Sequence, residues 1–349
     1  MFFSLNNSQI FLYEDFAMQI TINDIASRLG ISKSTVSKGL NNATDVSPET
    51  KRLILETAAE MGYINKRAHQ NTRVCIIIEN MDYTTPKQFG YDIVEGFKYL
   101  AKSERWVVDI VPVTMEFQKM HPYDVFMMQE NYQASFVLGF SLLDPWINEF
   151  KISHFPTVLL DNYIKGNPNI ASVGCDSVEG FDHAVKHLVD LGHTKIGLIS
   201  GPLDSYIIKV RYQAYISALK KYGLELNDKF IGLGYYVSES TRTYITKLMD
   251  QGVTAILFSH DIRAVSAITE CNGRNIRIPE ELSIIGFDDL PIAEQSDPPL
   301  TTVQQDRTAL GKCGYYAVSS LLNNVPIGSI LLRAPLIVRN STGRVRKDI

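Results

Sequence analysis

Along residues 21–64 the apolar positions recur at helical spacing in three short runs. Ile25, Ala26 and Leu29 follow Thr21 and Asp24, whose three-residue separation is a capping-box pair, and the run stops at Gly30. A second run starts at Ser32 and carries Val36 and Leu40 four residues apart. In the third, Ser47 is the cap, Pro48 takes the first helical position and Glu49 lies in the first turn. Leu53, Ile54, Thr57, Ala58 and Met61 are assigned to one face of it, and Gly62 ends it. Two helices joined by a tight turn at Gly30 predict a helix-turn-helix followed by a third helix.

From residue 74 the pattern changes. Strand-like apolar runs fall at 74–78, 106–113, 135–140, 156–160, 195–199, 255–259 and 283–287. Helix-period stretches lie between them, at 89–103, 177–191, 206–222, 238–251 and 261–273. Repeated βα units predict parallel sheets with helices on both faces. Two such halves predict two Rossmann-like subdomains with a cleft between them. No GxGxxG or GxxxxGK[ST] follows a strand, so no nucleotide cradle is expected.

Composition narrows the class. With 349 residues, 45% apolar and 21% charged, the chain has material for a sizeable core and for more than one folded unit. No apolar run reaches the roughly 18 residues of a membrane span, so no membrane association is expected. Residues 1–17 hold no Lys or Arg and do not read as a secretory signal, which points to the cytoplasm. Cys75, Cys175, Cys271 and Cys313 form no CxxC and suggest neither a disulfide framework nor a zinc site. His183 and His187 have the i, i+4 spacing of metal ligands but lack a third, so no metal and no cofactor is expected. No GxSxG and no Cys–His pair points to an enzyme.

Net charge is −4, and its distribution is uneven. Residues 18–73 carry eight Lys/Arg against five Asp/Glu, a local +3 that leaves −7 for the rest. A basic head on an acidic body suggests that the head alone meets a polyanion. With Ile31, Val36 and Leu40 facing inward, Lys33, Ser34, Ser37 and Lys38 fall on or near the exposed face of the second helix. The start of that helix then points into a major groove.

The run ITINDIASRLGISKSTVSKGLNN, followed by VSPETKRLILETAAEMGY, resembles the head of the LacI/GalR family of bacterial transcriptional regulators. HLVDLGHTKIGLISGP, KVRYQAY, LSIIGFDD and DPPLTTVQQD are similar, in order and spacing, to the signatures of that family's effector domain. The resemblance implies a small all-α helix-turn-helix head at 18–64, a hinge or linker at 65–73, and an α/β body at 74–349 like the periplasmic sugar-binding proteins. The body would comprise an N-subdomain of about 74–173 and 304–331 and a C-subdomain of about 174–303 and 332–349, the chain crossing near 174, 303 and 332. Met18 resembles a family start, which leaves residues 1–17 as a disordered extension or a mis-assigned start.

The resemblance further implies roles. Lys33, Ser34 and Lys38 would read base edges, while Thr21, Ser32, Thr35, Ser37, Asn41, Ser47 and Thr50 would meet phosphates. Lys38 stands where the family most often has Arg, which alone offers guanine a bidentate fork, and Gly39 beside it weakens the helix by about 1 kcal/mol relative to Ala. In the connector, Thr72 stands where a Leu wedge is expected, so the segment is either a hinge that folds on DNA or a flexible linker; Lys66, Arg67 and Arg73 can hold phosphates.

In the body, strands end at Phe140, Asp161, His260 and Asp288, where ligands of open α/β sheets sit. By resemblance Arg211 and Asp288 bind an effector, a guanidinium fork and an acceptor for paired hydroxyls. His260 replaces the family's usual Asn and either bonds a hydroxyl or caps the next helix. Tyr83, Phe89, Tyr91, Phe140 and Phe287 either stack on a sugar ring or belong to the core. The function implied is a homodimeric regulator, commonly a repressor, that binds a double-stranded DNA operator and answers to a small sugar or phosphosugar. A stand-alone sugar receptor without DNA binding, or a catabolite-type regulator using a phosphocarrier protein as corepressor, are the alternatives.

Overall fold

The structure is a computed structural model and describes residues 20–63 and 72–345. Residues 1–17, the Met18 start and most of the connector, with Lys66 and Arg67, lie outside the described residues. The chain divides after residue 66 into two compact units.

The first unit is three helices, α1 (Ile22–Leu29), α2 (Lys33–Leu40) and α3 (Pro48–Glu60). Each begins on a hydroxyl cap. Thr21 and Asp24 bond reciprocally, Asp24 Oδ2 lying 2.7 Å from Thr21 N, while Ser32 accepts from Thr35 N and Ser47 from Thr50 N. Gly30 closes α1 in the left-handed conformation (φ 65°), which a Cβ would disfavour. Ile25, Val36, Leu40, Val46, Ile54 and Ala58 form the core of this unit. Leu53, expected inside, is 47% exposed, and Leu55 is buried in its place. At 100° per residue Ile54, Leu55 and Ala58 share one arc, and Leu53 falls off its edge.

Gly39 has a role beyond its low helix propensity. A Cβ on it would come within 2.5 Å of Ile54 Cδ1, so the glycine makes room for the fully buried Ile54 on α3. Gly39→Ala is therefore expected to destabilise the head by about 1 kcal/mol despite its propensity gain. In an Ile54→Val background, which lacks that methyl, the same substitution should become stabilising. Hydrogen exchange of α2 and α3 amides in the full chain reads this; additive single and double variants would contradict the contact.

The body opens with β1 (Arg73–Ile78), α4 (Phe89–Ser103), β2 (Val107–Pro112), α5 (Met115–Met120), α6 (Tyr123–Gln129) and β3 (Ala134–Leu138). Then come α7 (Pro145–Glu149), β4 (Thr157–Leu160) and β5 (Ile170–Cys175). The chain continues through α8 (Ser177–Asp190), β6 (Ile196–Ser200), α9 (Tyr206–Lys221), β7 (Ile231–Leu233) and α10 (Val237–Asp250). After these it forms β8 (Ala255–Phe258), α11 (Asp261–Gly273), β9 (Ser283–Asp288), α12 (Pro291–Gln295) and β10 (Thr301–Gln304). It ends with α13 (Arg307–Leu322), β11 (Ser329–Leu332) and β12 (Leu336–Ile337).

Two six-stranded sheets result, ordered β11-β5-β4-β3-β1-β2 and β12-β10-β9-β8-β6-β7. The first is parallel throughout; in the second only the β10–β12 pair is antiparallel. The chain passes between sheets after Cys175, after Gln304 and after Leu332. Helices cover both faces, which explains the unbroken apolar runs. Val74, Ile76 and Ile78 pack toward α4 and α13, while Cys75 and Ile77 pack toward α6 and α7.

Arg73, assigned to the connector from the sequence, belongs to this sheet. It pairs with Asp109 at 2.7 Å and lies over the Tyr132 ring, while the Thr72 carbonyl accepts from Val107 N at 2.8 Å. These partners engage the Arg73 charge within the body. Among the described residues no helix is long and apolar enough to cross a membrane.

Candidate functional site

On the head, the caps leave one face polar. Thr21, Ser32, Lys33, Ser34, Lys38, Asn41 and Ser47 are exposed, and Thr35, Ser37 and Thr50 are half-buried. Several of these hydroxyls already close the helix ends: Ser32 Oγ lies 2.8 Å from Thr35 Oγ1, and Ser47 Oγ 2.8 Å from Thr50 Oγ1. Asn41 Nδ2 donates to Ser37 O at 2.5 Å. Lys38 pairs with Asp45, which holds that carboxyl below its usual range, whereas Lys33 projects with no carboxylate bound to it among the described residues. The two lysines thus differ: one stands free at the start of α2, the other is tethered.

Among the described residues of the body, the buried side-chain polar atoms left without a partner belong to Glu79, Asp161, Ser177, Ser200, Arg211, Arg263 and Gln305. Six of these residues come at or just after the carboxyl end of a strand, or in the first turn of the helix that follows; Arg211 reaches the same edge from α9. Burying polar atoms unpaired costs about 1–3 kcal/mol each, so their concentration at the carboxyl ends of strands of the two sheets marks a place for a polar ligand. Only Arg211 and Asp161 of the seven stand out from sequence pattern. Gln305 lies inside the DPPLTTVQQD run and Glu79 directly follows the first strand, signals that were available; nothing local distinguishes Ser177, Ser200 or Arg263.

Arg211, fully inside, pairs with Asp288 at 3.5 Å, donates to the Ser259 carbonyl and lies 3.8 Å over the Phe287 ring. Asp288 also accepts from Gln305 Nε2 at 2.6 Å. Its φ of 122° is unusual for a side chain with a Cβ, strain that the surrounding bonds hold in place. Burial pushes its carboxyl up, against the pull of Arg211. Asp161, from the first sheet, senses both: burial raises it to about 6, Arg211 opposing and Asp288 adding. Gly174 on the neighbouring strand leaves space for it, since a Cβ there would sit 2.8 Å from Asp161 Oδ1. A cavity of about 140 Å³ opens beside it, lined among others by Gly174, Ser177 and Tyr206. The two halves meet where Leu142 N donates to Asp204 O at 2.8 Å and where Tyr163 faces Tyr206 with ring centres 6.3 Å apart.

The other expected residues divide. His260 caps α11, its Nδ1 accepting from Arg263 N at 3.3 Å. Phe140 lies in the aromatic core with Trp146 and Phe150, ring centres 6.3 and 6.0 Å away, so its ring is engaged there. Tyr83 is half-buried and, with Phe89, packs on the α4–α13 core; Phe287 carries Arg211 on its face. His187 and His193 hold the C-terminal segment, through Thr342 at 2.9 Å and the Gly343 carbonyl at 3.0 Å, and His183 lies 3.3 Å from the Ala334 carbonyl.

Burial, with the charges of Arg263 and Arg211, lowers His260 to about 3. Its folded value lies below the unfolded one near 6.5, so the unfolded chain binds more protons and the neutral ring's contribution is lost as pH falls through that window. The expected cost is about 1.4 kcal/mol per pH unit for one proton. Asp161 works in the opposite sense between about 6 and 3.8, so the wild-type melting curve alone blends the two. The stability difference between wild type and His260→Asn isolates the histidine: it should shrink by that slope as pH drops from 6.5 to 4.5, and a pH-independent difference would contradict the assignment.

Residues 21–66 match the model for bacterial regulatory proteins of the lacI family, and residues 185–342 match the periplasmic binding protein-like domain. The HTH-type transcriptional repressor CytR of Escherichia coli (strain K12) is 27% identical over 333 residues, covering 92% of this chain and 96% of CytR. Among solved structures, the transcriptional regulator CelR–cellobiose complex superposes with a TM-score of 0.68 at 22% identity, over 93% of this chain and 100% of that one. The lac repressor dimer bound to operator and the anti-inducer ONPF gives 0.65 at 23% identity, over 93% and 99%. At those identities the two structures speak for the fold.

Proposed function

This chain belongs to the lacI family of bacterial regulatory proteins, a helix-turn-helix head joined to a periplasmic-binding-protein-like body, and from that premise we propose that it is a sequence-specific repressor released or engaged by a small sugar or phosphosugar. The observation that carries the effector half is the cluster of unpartnered buried polar atoms at the strand ends, around Arg211, Asp288 and Asp161. The names of two similar proteins agree in kind, one a repressor and the other a complex with cellobiose. Arg211 Nε supplies a donor, and Asp161, Asp288 and the free Gln305 Oε1 supply acceptors, a mixture suited to hydroxyls. Asp289 and Asp261 serve structure instead: Asp289 pairs with Arg339 at 2.7 Å, and Asp261 accepts from Thr302 and the Leu290 N–H. Acid–base catalysis is not part of this reading.

On the DNA side, Lys33 and Ser34 take the base edges. Thr21, Ser32, Thr35, Ser37, Asn41, Ser47 and Thr50 anchor phosphates through hydroxyls, amides and the helix N-termini they cap. Lys38 joins the base readers by releasing Asp45, at the cost of that ion pair. A homodimer on a two-fold operator gives one half-site per copy. Exposed Tyr99 and Tyr316, on the packed α4 and α13, offer a second copy an aromatic surface.

Selection from a random duplex library with the full chain tests the reading. A near-palindrome should enrich, Lys33→Ala should relax preference at one position per half-site by about 1–3 kcal/mol, and Thr50→Ala should weaken every sequence alike. No enrichment by a folded head, with and without candidate effectors, would favour the receptor without DNA binding.

A further inference from the structure

Arg263 is a buried charge that nothing in the proposed effector chemistry uses. It stands in the first turn of α11, is 2% exposed, and among the described residues its guanidinium binds only neutral groups. Nη1 donates to Ser240 Oγ, and Nη2 to the Gly234 carbonyl at 3.1 Å and the Tyr235 carbonyl at 3.5 Å. Nε has no partner. Among the described residues no carboxylate pairs with it, unlike Arg211, Arg307 and Arg339, which meet Asp288, Asp92 and Asp289. A permanently charged side chain buried without an anion is costly, by several kcal/mol even after relaxation.

Beyond those acceptors, the surroundings add further donors and no anion among the described residues. A Cβ on Gly201 would lie 3.9 Å from Arg263 Nη2, which places the guanidinium at the carboxyl end of β6; Ser200, the residue before Gly201, also has a buried hydroxyl without a partner. His260 Nδ1 accepts the Arg263 backbone N–H, so the proton of the neutral ring is on Nε2, a further donor. Arg211 reaches the same edge through the carbonyl of Ser259. Glu79 and Asp161, each with one buried carboxylate oxygen unpartnered among the described residues, follow strands of the other sheet.

The geometry points to an anion subsite at the ends of β6 and β8, in which Arg263, with Ser200 and His260 Nε2, takes a phosphoryl or carboxylate group of the effector. The assignment rests on the effector reading above and narrows it: the ligand is acidic at the end that meets the second sheet and hydroxyl-bearing at the end that meets Asp161. No bond is made or broken; the group is held by charge-assisted hydrogen bonds. Arg263 is chosen for this over Arg211 because Asp288 already neutralises the latter.

The test uses the full chain and simple anions as probes. Melting is compared in potassium chloride, phosphate and acetate at matched ionic strength. A saturable rise in Tm is expected with phosphate or acetate over chloride; the larger of the two tells phosphoryl from carboxylate. The general salting effect of these ions is common to all variants and cancels in differences. Arg263→Met should lose the saturable part, and Arg263→Lys should weaken it about tenfold in anion concentration, the loss of roughly one charge-assisted bond. If Arg263→Met does not fold, the lysine variant and calorimetric titration of wild type with phosphate carry the comparison.

No saturable anion effect in wild type, or one that persists undiminished in the Arg263 variants, overturns the subsite. Operator release by a neutral sugar, equal in wild type and Arg263→Lys, likewise overturns it and leaves the effector reading standing. Phosphate binding through Arg263, with no sugar or phosphosugar changing operator affinity, supports the subsite and removes the effector reading.

Discussion

Arg211→Ala is expected to abolish the effector response while the folded protein keeps its operator. The guanidinium is a junction of buried contacts: it pairs with Asp288, donates to the Ser259 carbonyl, stacks on Phe287 and is sensed by Asp161. Removing it leaves Asp288 buried with Gln305 as its remaining side-chain donor. Breaking a buried pair from one side typically costs about 3–5 kcal/mol. Asp288 should hold its proton to higher pH than in wild type, because the guanidinium that opposes its burial is gone, and a charge-sensitive measurement detects this. Asp288→Asn, of the same shape, should cost less stability but as much response. The double variant Arg211→Met/Asp288→Leu should be more stable than Arg211→Ala, since it removes both charges together. Operator binding by electrophoretic shift, with and without effector, reads the response; a retained response in Arg211→Ala would take this residue out of the site.

Gly311→Ala should be the most damaging single methyl at a helical glycine of the body. A Cβ there would lie 2.0 Å from the Ile93 carbonyl oxygen and 2.8 Å from Phe97 N, and one on Gly96 would lie 2.4 Å from the Thr308 carbonyl oxygen. The obstacles are backbone atoms of the facing helix, so no side chain can rotate away. α4 and α13 must separate, and Ile93, Phe97, Leu310 and Val318 lose their packing with them. We expect a loss of about 3 kcal/mol, the upper part of the range for overpacking, and a fall in Tm of roughly 10 °C. Gly328→Ala is the control: nothing lies within 4 Å of its added Cβ, and its effect should stay within about 0.5 kcal/mol. Equal effects at both sites would show that the helix crossing is looser than its distances imply.

α13 also shows where reading from pattern stops. Arg307–Leu322 carries Gly311 and Gly314, which lower helix propensity, and has no simple apolar stripe because it packs against both α4 and the sheet. Short elements were missed for a related reason. β10 reads TTVQ and β7 only IGL, and neither is long enough to carry a period. By contrast α4 runs from Phe89 to Ser103 and α11 from Asp261 to Gly273, the limits that periodicity and caps predict.

What the sequence by itself determined is what a few neighbouring residues can encode. Thr21, Ser32 and Ser47 start the three head helices, Gly30 ends the first, and apolar runs alternate with helical periods through two α/β halves. The family follows from the same short words, because cap, turn and strand-end residues sit at fixed spacing. Only the tertiary structure decided which charges meet. Arg211 finds Asp288, Arg307 finds Asp92 across 215 residues, Arg73 is drawn into the sheet by Asp109, and Arg263 is left without an anion. A hydrogen-bonded cap gains its energy locally and tolerates little else at that position. A buried charge is settled by which distant strand ends the whole packing brings within a few ångströms, and no local pattern contains that distance.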